Sequence, residues 1–307
     1  MKVLVTGVTG QLGFDVMRKL IVAGHDAVGT SRASEFESQI DDKSVSNAKY
    51  ISLDITNIDK VKSTINDLKP DAIIHCAAWT AVDDAEENEE MVFKVNKQGT
   101  ENLALAAKAV NAKFVYISTD YVFEGKGNEP FQPDNDKYAP TSIYGASKLA
   151  GEEAVKSILE KYFIIRISWV FGINGSNFVK TMLRVGRSHD CVTVVNDQIG
   201  SPTYTLDLAE LLTKMIESEE YGTYHARNEG GYISWFDFTK EIYKLSGLST
   251  DVIPVTTEEY GISKAARPLN SRLDTSKLTE HNFRLLPEWK DALKRYLAEI
   301  EFYEGEI

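Results

Sequence analysis

With 307 residues, 43% hydrophobic and 26% charged, the chain has the make-up of a globular protein of one large or two intimate domains. A formal charge of −12 argues against a nucleic-acid or anionic-membrane surface and leaves only a local basic pocket to take phosphates. Two cysteines make no disulfide framework, no apolar run reaches the ~20 residues of a membrane span, and the N-terminus enters a strand without the shape of a cleavable signal; the expectation is a cytoplasmic protein.

Lys2-Val-Leu-Val-Thr6 reads as a buried strand stopped by glycine. Gly7, Gly10 and Gly13 follow in a G-x-x-G-x-x-G pattern, and an amphipathic helix runs from about Gln11 to Ala23. Glycine permits the tight turn and lets backbone N–H groups approach a pyrophosphate at the helix N-terminus. Gly7, Gly10, Gln11 and Leu12 are therefore candidate cofactor contacts. A second strand, near Asp26–Thr30, ends in Gly29-Thr30-Ser31-Arg32. NAD-binding folds usually carry an acid there for the ribose 2′-hydroxyl, whereas an arginine forks onto a 2′-phosphate. Ser31 and Arg32 thus favour NADPH, with NADH the second choice; the plain alternative is a surface arginine.

Tyr50–Leu53 reads as the third strand, Ile58–Leu68 as a helix and Ala72–His75 as the fourth strand. Such alternation means a doubly wound parallel α/β sheet with ligands at the carboxyl ends of its strands. That rim holds Gly7, Arg32, Asp54, Cys76, Ala77, Ala78 and Thr119. Asp54, beside Ile55, suits either the adenine amino group or a helix cap. His75 and Cys76 lack partners at metal-ligand spacing and read as packing residues. The acidic run Asp83–Glu90 reads as an exposed helix start, with a divalent metal site the less favoured reading. Asn96 reads as a cap for a helix from Gly99 to Ala109.

The fifth strand, Phe114–Thr119, delivers Thr119, Asp120 and Tyr121. A hydroxyl at its tip could donate to a substrate carbonyl. The Gly- and Pro-rich stretch from Tyr121 to Pro140 reads as a functional loop. A helix starting near Thr141 carries Tyr144-Gly-Ala-Ser-Lys148. Tyr and Lys four apart share a helix face, and an adjacent ammonium is expected to pull the phenol down from its usual value of about 10. A second copy, Tyr260-Gly-Ile-Ser-Lys264, has no strand and no glycine fingerprint before it, so Tyr144 and Lys148 are the catalytic candidates.

Phe163–Gly172 reads as one strand with Trp169 at its rim. Beyond it the pattern loosens: a helix at Phe178–Val185, a strand at Val192–Val195, a helix at Leu206–Ile216, a strand at Thr223–His225 and a helix at Trp235–Leu245. This division predicts a dinucleotide-binding domain over residues 1–172 and a smaller mixed α/β substrate lobe over 173–307, with some segments returning to the first. Arg166, Arg184, Arg187 and the Arg267-Pro-Leu-Asn-Ser271 motif are candidates for a nucleotide-sugar diphosphate, surface charge being the alternative for each.

Taken with Ala77-Ala-Trp-Thr-Ala-Val-Asp83, Ser118-Thr-Asp-Tyr-Val-Phe123, Ser168-Trp-Val-Phe-Gly172 and Asp197-Gln-Ile-Gly-Ser-Pro-Thr203, these motifs make the chain resemble the extended short-chain dehydrogenase/reductases, and within them the dTDP-4-dehydrorhamnose reductase family. The resemblance runs from Val3 to about Leu278. It implies that NADPH reduces the 4-keto group of dTDP-4-dehydro-L-rhamnose. By the same resemblance Tyr144 would protonate the alkoxide, Lys148 would lower the Tyr144 pKa and bind the nicotinamide ribose, and Thr119 would hydrogen-bond the keto oxygen. Asp120, Tyr121 and Trp169 would meet the sugar, while Ala77 and Ala78 would line the nicotinamide side. Some members of the family dimerise around a divalent metal; the sequence shows no ligand set for one, and a homodimer is the assembly the resemblance offers. Dehydratases of this fold carry Thr-Asp-Glu where this chain has Thr119-Asp120-Tyr121, and epimerases keep an acid where it has Ser31-Arg32. Three readings stay open: this reductase, a reductase of another nucleotide 4-keto-6-deoxy sugar, and a non-catalytic NADP-binding regulatory subunit similar to that of methionine adenosyltransferase.

Overall fold

The computed structural model describes residues 1–305 except 136 and 262, and leaves the side chain of residue 304 aside. Six strands arrive in chain order: β1 (Lys2–Thr6), β2 (Asp26–Ser31), β3 (Lys49–Ser52), β4 (Ala72–His75), β5 (Lys113–Thr119) and β6 (Tyr162–Ile167). After β7 (Cys191–Val195), β8 (Gly222–His225) returns to pair with β6, completing a parallel sheet in the order β8-β6-β5-β4-β1-β2-β3. The apolar runs are continuous because both faces are covered and successive side chains feed opposite layers. Val3 and Val5 of β1 join one buried cluster and Leu4 the other; on β4 Ile74 and Ile73 divide the same way. Each such side chain contributes about 1.5–3 kcal/mol by leaving water.

Helices α1 (Gln11–Val22), α2 (Ile58–Leu68), α3 (Thr100–Ala109) and α4 (Ile143–Ile158) supply the crossovers. Local chemistry sets several of their ends. Asn57 caps α2 by accepting the Lys60 N–H at 3.1 Å, and Ser142 caps α4 by accepting that of Gly145 at 3.1 Å. α3 is entered through a π-helical turn, Lys94–Gly99. The longer helices of the later part are α5 (Phe178–Ser188), α6 (Thr205–Glu217), α7 (Trp235–Leu245) and α8 (Trp289–Glu304). α6 lies against α1, so the later part of the chain packs directly on the first crossover. Among the described residues no helix is long and apolar enough to cross a membrane.

One expected strand is corrected, and two elements were passed over. The strand expected over Phe163–Gly172 is broken: β6 ends at Ile167, and Val170–Phe171 pairs instead with Thr203–Tyr204. The cause is Trp169, whose φ of 50° lies in the left-handed region that no strand contains. The sequence reading also passed over a strand, β9 (Asp251–Val255), which pairs in parallel with β7, and α8, which buries Trp289, Leu293 and Tyr296.

Candidate active site

The carboxyl ends of β1, β2, β4 and β5 open into a cleft of about 970 Å³, at the upper end of the size range for small-molecule sites. The candidate catalytic, cofactor and sugar residues line it, namely Gly7, Gly10, Gln11, Leu12, Ser31, Arg32, Asp54, Ile55, Cys76, Ala77, Ala78, Thr119, Asp120, Tyr121, Tyr144, Lys148 and Trp169, whereas the candidate diphosphate arginines do not. Gly7 turns at φ 71°, and a Cβ there would come within 2.7 Å of the Ala77 backbone nitrogen. No side chain caps α1 at Gly10, so the helix N-terminus faces the cleft with its backbone donors and positive dipole end. A 12-residue helix begun in this way could seat a pyrophosphate. The Gln11 side chain has a different task, its Oε1 accepting the Gly172 N–H at 2.8 Å and the Asn177 amide at 3.1 Å.

At the β2 end, Ser31 is tied to the Tyr50 hydroxyl at 2.7 Å, while the exposed Arg32 guanidinium has no ion-pair partner among the described residues. Glu37 lies on the same wall with the opposite charge. Asp54 does not cap a helix: its Oδ1 accepts the N–H and hydroxyl of Thr56 at 2.9 and 2.8 Å, and Asn57 does the capping.

At the other end, Thr119 stands at the tip of β5 and lines the cleft together with Tyr144. Its hydroxyl donates to Asp120 Oδ1 at 3.0 Å and accepts the Tyr121 N–H at 3.3 Å. The Tyr121 and Tyr144 rings meet edge to face with centroids 5.5 Å apart. The electrostatics differ from the sequence expectation. Burial raises the Tyr144 phenol well above its usual value, with the nearby Thr119 hydroxyl opposing and the Asp120 and Tyr121 charges adding to the rise. Lys148 is 3% exposed, its Nζ lies 4.0 Å from the centre of the Tyr116 ring, and burial pushes it down to about 7. A half-protonated ammonium committed to another ring is a weak lever on the phenol. The same enclosure pushes Cys76 up to about 12 and His75 down to about 3. His75 is a packed neutral ring, bridging Thr6 at 2.7 Å and Thr100 at 3.1 Å.

Asn96 is not a cap. Buried in the π-helical turn, it accepts the Trp79 N–H at 2.7 Å and donates to the Trp79 carbonyl at 3.1 Å and to Ser147 Oγ at 2.9 Å. Ser147 donates in turn to the Tyr144 carbonyl at 2.7 Å, so one amide ties the β4 loop to the helix turn that carries Tyr144. The extra residue of a π turn re-aims a side chain, and such turns recur at functional sites. Trp79, which the sequence reading quoted but gave no role, lines the cleft with a buried indole nitrogen lacking a partner among the described residues.

The candidate diphosphate arginines are otherwise engaged. Arg166 is fully buried, donating to both Glu152 oxygens at 2.8 and 2.7 Å, to the Pro133 carbonyl and to the Tyr138 hydroxyl. Arg184 and Arg187 are exposed on α5 and line no part of the cleft. Arg267 pairs with Asp83 at 2.5 Å and donates to the Tyr121 hydroxyl at 3.2 Å. The Arg267–Ser271 motif thus braces Tyr121, the second residue after Thr119, through Arg267. The acidic run does start helices, with Asp83 and Asp84 in the first turn of Val82–Ala85 and Glu89 and Glu90 in that of Glu89–Phe93, but several of its carboxylates also have partners. Asp83 also accepts the Ala265 N–H, Glu87 pairs with Lys264, and Glu86 accepts the Ile143 N–H at the start of α4. Among the described residues no group of three or more His, Cys, Asp or Glu could hold a metal ion.

A dinucleotide cradle running into a Thr-Tyr-Lys constellation defines an oxidoreductase of the short-chain type. Residues 1–302 match the family model described as the RmlD substrate binding domain. The chain is 39% identical to the spore coat polysaccharide biosynthesis protein SpsK of Bacillus subtilis, over 97% of both chains. It is 35% identical to the dTDP-4-dehydrorhamnose reductase of Salmonella typhimurium, over 98% of both. Among solved structures, the dTDP-4-dehydrorhamnose reductase of Bacillus anthracis in complex with NADP superposes with a TM-score of 0.87 at 42% identity, covering 97% of this chain and 100% of that one. The chain belongs to the RmlD family of sugar-nucleotide reductases.

Proposed function

We propose that this protein uses NADPH to reduce the 4-keto group of dTDP-4-dehydro-L-rhamnose, giving dTDP-L-rhamnose. The observation that carries the reading is the placing of Thr119, Tyr144 and Lys148 together at the end of the same cleft that begins with the glycine cradle. The cradle fits a dinucleotide: a Cβ at Gly7 or Gly13 would strike backbone, and the α1 N-terminus is uncapped. NADPH, when bound, supplies the hydride; the protein supplies the proton and holds the oxygen. Thr119 donates to the keto oxygen and Tyr144 gives it a proton as negative charge develops. Lys148, whose ammonium lies beside the Tyr116 ring, holds a ribose hydroxyl. Arg32, free of ion pairs among the described residues, meets the 2′-phosphate, and the NADP bound to the Bacillus anthracis relative supports that choice. Tyr121 and Trp169 flank the sugar. Where elimination would need a second carboxylate, the chain has Tyr121, which supports reduction over dehydration.

The likeness to a spore coat polysaccharide protein favours a second reading, in which the same chemistry acts on a different nucleotide-linked 4-keto sugar. The test is loss of the reduced-nicotinamide absorbance with NADPH and then NADH, using freshly generated dTDP-4-dehydro-L-rhamnose and identifying the product. Oxidation yielding dTDP-L-rhamnose is expected, faster with NADPH. NADPH binding without oxidation would refute this substrate.

A further inference from the structure

Trp169 stands in the cleft wall in a conformation its own backbone does not favour. Its φ of 50° lies in the left-handed region, and a bulky side chain persists there only where the surroundings fix it. Three contacts fix this one. The Trp169 carbonyl accepts the Thr203 N–H at 3.1 Å. Gly200 lies so close to the ring that a Cβ on it would come within 2.8 Å of Trp169 Cε2. The indole of Trp235 stacks on that of Trp169, with ring centroids 3.7 Å apart and planes 14° from parallel. Trp235 is itself set by local chemistry. It is the first residue of α7, and Ser234 before it makes a capping box: Ser234 accepts the Asp237 N–H at 3.0 Å, and Asp237 accepts the Ser234 N–H at 3.1 Å. Ile233 and Ser234 pair antiparallel with Gly200 and Ile199, so one ribbon presents both the glycine and the second indole to Trp169. Phe178 of α5 closes on Trp235 with ring centroids 4.4 Å apart. Trp169 lines the cleft and Trp235 stands behind it.

Resting on the reductase reading above, in which Trp169 flanks the sugar, we infer that Trp235 is a positioning residue for the substrate: its stacked indole holds the Trp169 ring at the angle the sugar meets. The later part of the chain thereby shapes the sugar end of a cleft whose cofactor end is built by the first part. A residue acting in this way governs how tightly the keto sugar is held and leaves hydride and proton transfer to other groups. Its loss therefore falls on KM rather than on kcat. The stack also needs a flat aromatic face. An aliphatic side chain of similar bulk fills the space beside Phe178 but does not fix the plane of a neighbouring ring.

The experiment measures KM and kcat for dTDP-4-dehydro-L-rhamnose in the wild type, Trp235→Leu, Trp235→Phe, Trp169→Leu and the double variant carrying both leucines. NADPH binding by fluorescence serves as the check on the fold. Trp235→Leu is expected to raise KM about 10-fold, the upper end of what an aromatic pair is worth, with kcat within about threefold of wild type and NADPH binding unchanged. Trp235→Phe, which restores an aromatic face, brings KM back to within about threefold of wild type. Because Trp235 acts through Trp169, the double variant keeps the KM of Trp169→Leu alone. A Trp235→Leu protein that binds NADPH and keeps the wild-type KM overturns the inference. A Trp235→Phe protein with KM raised about 10-fold overturns it even if Trp235→Leu has lost its fold. A double variant whose KM multiplies the two single effects shows Trp235 acting apart from Trp169, and overturns it too. A wild type that binds NADPH but reduces no 4-keto nucleotide sugar overturns the reductase reading and this inference with it.

Discussion

The chain writes the pattern Tyr-Gly-x-Ser-Lys twice, and the two copies became different objects. In the first, Tyr144 to Lys148 opens the 16-residue helix α4 with a Ser142 cap. Gly145 is used for closeness there, since a Cβ would strike the Tyr121 carbonyl. In the second, Tyr260 ends the four-residue helix Thr257–Tyr260, and Gly261, at φ 61°, is the left-handed residue that stops it. Ser147 receives the Asn96 amide and bonds the Tyr144 carbonyl, whereas Ser263 receives Arg267 Nε at 2.8 Å. Lys148 is 3% exposed in the cleft; the Lys264 side chain is 62% exposed and pairs with Glu87 on the surface. Spacing alone therefore carries no chemistry. What converts it is a helix cap, a strand tip that presents a hydroxyl, and an enclosure that shifts the ionisations.

The sharpest way to break the contrast is to remove one oxygen. Tyr144→Phe should lower kcat by about 10²–10⁴-fold, the usual worth of a positioned acid, with NADPH affinity within about threefold of wild type by fluorescence titration. Near wild-type turnover would strip Tyr144 of its role and leave the first copy as ordinary as the second.

Lys148 gives the next largest effect, and it has two signs. Lys148→Met should weaken NADPH binding by about 1.5–3 kcal/mol, the range for a hydrogen bond from a charged group, and reduce kcat with it. The cofactor-free protein should meanwhile gain about 0.5–2 kcal/mol near neutrality, because an unpaired buried ammonium is a cost accepted for function. The sign with pH follows from linkage. Lys148 is lowered to about 7 from 10.5, so between those values the unfolded chain binds more protons and stability rises with pH. Lys148→Met should flatten that alkaline rise in Tm measured without cofactor, and a variant that kept it would show that another group titrates there.

Asn96 tests whether the first copy is held from outside its own helix. Asn96→Ala leaves the Trp79 N–H and carbonyl without their partner, at a cost of about 1–3 kcal/mol. Calorimetry should show a Tm drop of roughly 2–4 °C per kcal/mol, and turnover should fall as the helix turn under Tyr144 loosens. A loss of stability without loss of turnover would separate the clamp from the chemistry.

These residues also mark where the sequence was readable. The glycine cradle, the Arg32 end and the strand tips were legible because each is a local pattern: glycines where backbone must approach backbone, and apolar runs that stop at a rim. Pairings across the chain were not. Arg166 looked like a cation for phosphate, and only the fold shows Glu152 closing on it from α4. Asn96 looked like a cap because Asn is a good one; the π-helical turn that points it inward has no sequence signature of its own. The acidic run read as solvated because its partners, Lys264 and Arg267, lie about 180 residues downstream. β9 was missed because Pro254 argues against a strand; its position in a two-stranded edge sheet is where a proline is tolerated.

The smallest expected effect is the control that gives the others meaning. Lys264→Ala removes one partner of an exposed surface pair with Glu87, an interaction worth roughly 0–1 kcal/mol and screened by salt. Tyr260 is 42% exposed, and Tyr260→Phe changes an oxygen at the surface, so stability should stay within about 0.5 kcal/mol. Turnover of both variants should remain within twofold of wild type at ordinary ionic strength. The informative departure would be a rise in KM for the sugar nucleotide at unchanged kcat in Lys264→Ala. Ser263, Ala265 and Arg267 all reach Asp83, and Arg267 goes on to the Tyr121 hydroxyl. Loosening the Lys264–Glu87 pair could then reach the sugar side of the cleft through Tyr121. Such a result would move the second copy from the surface into the substrate site as a strap, acting through its neighbours rather than through a phenol and an ammonium of its own.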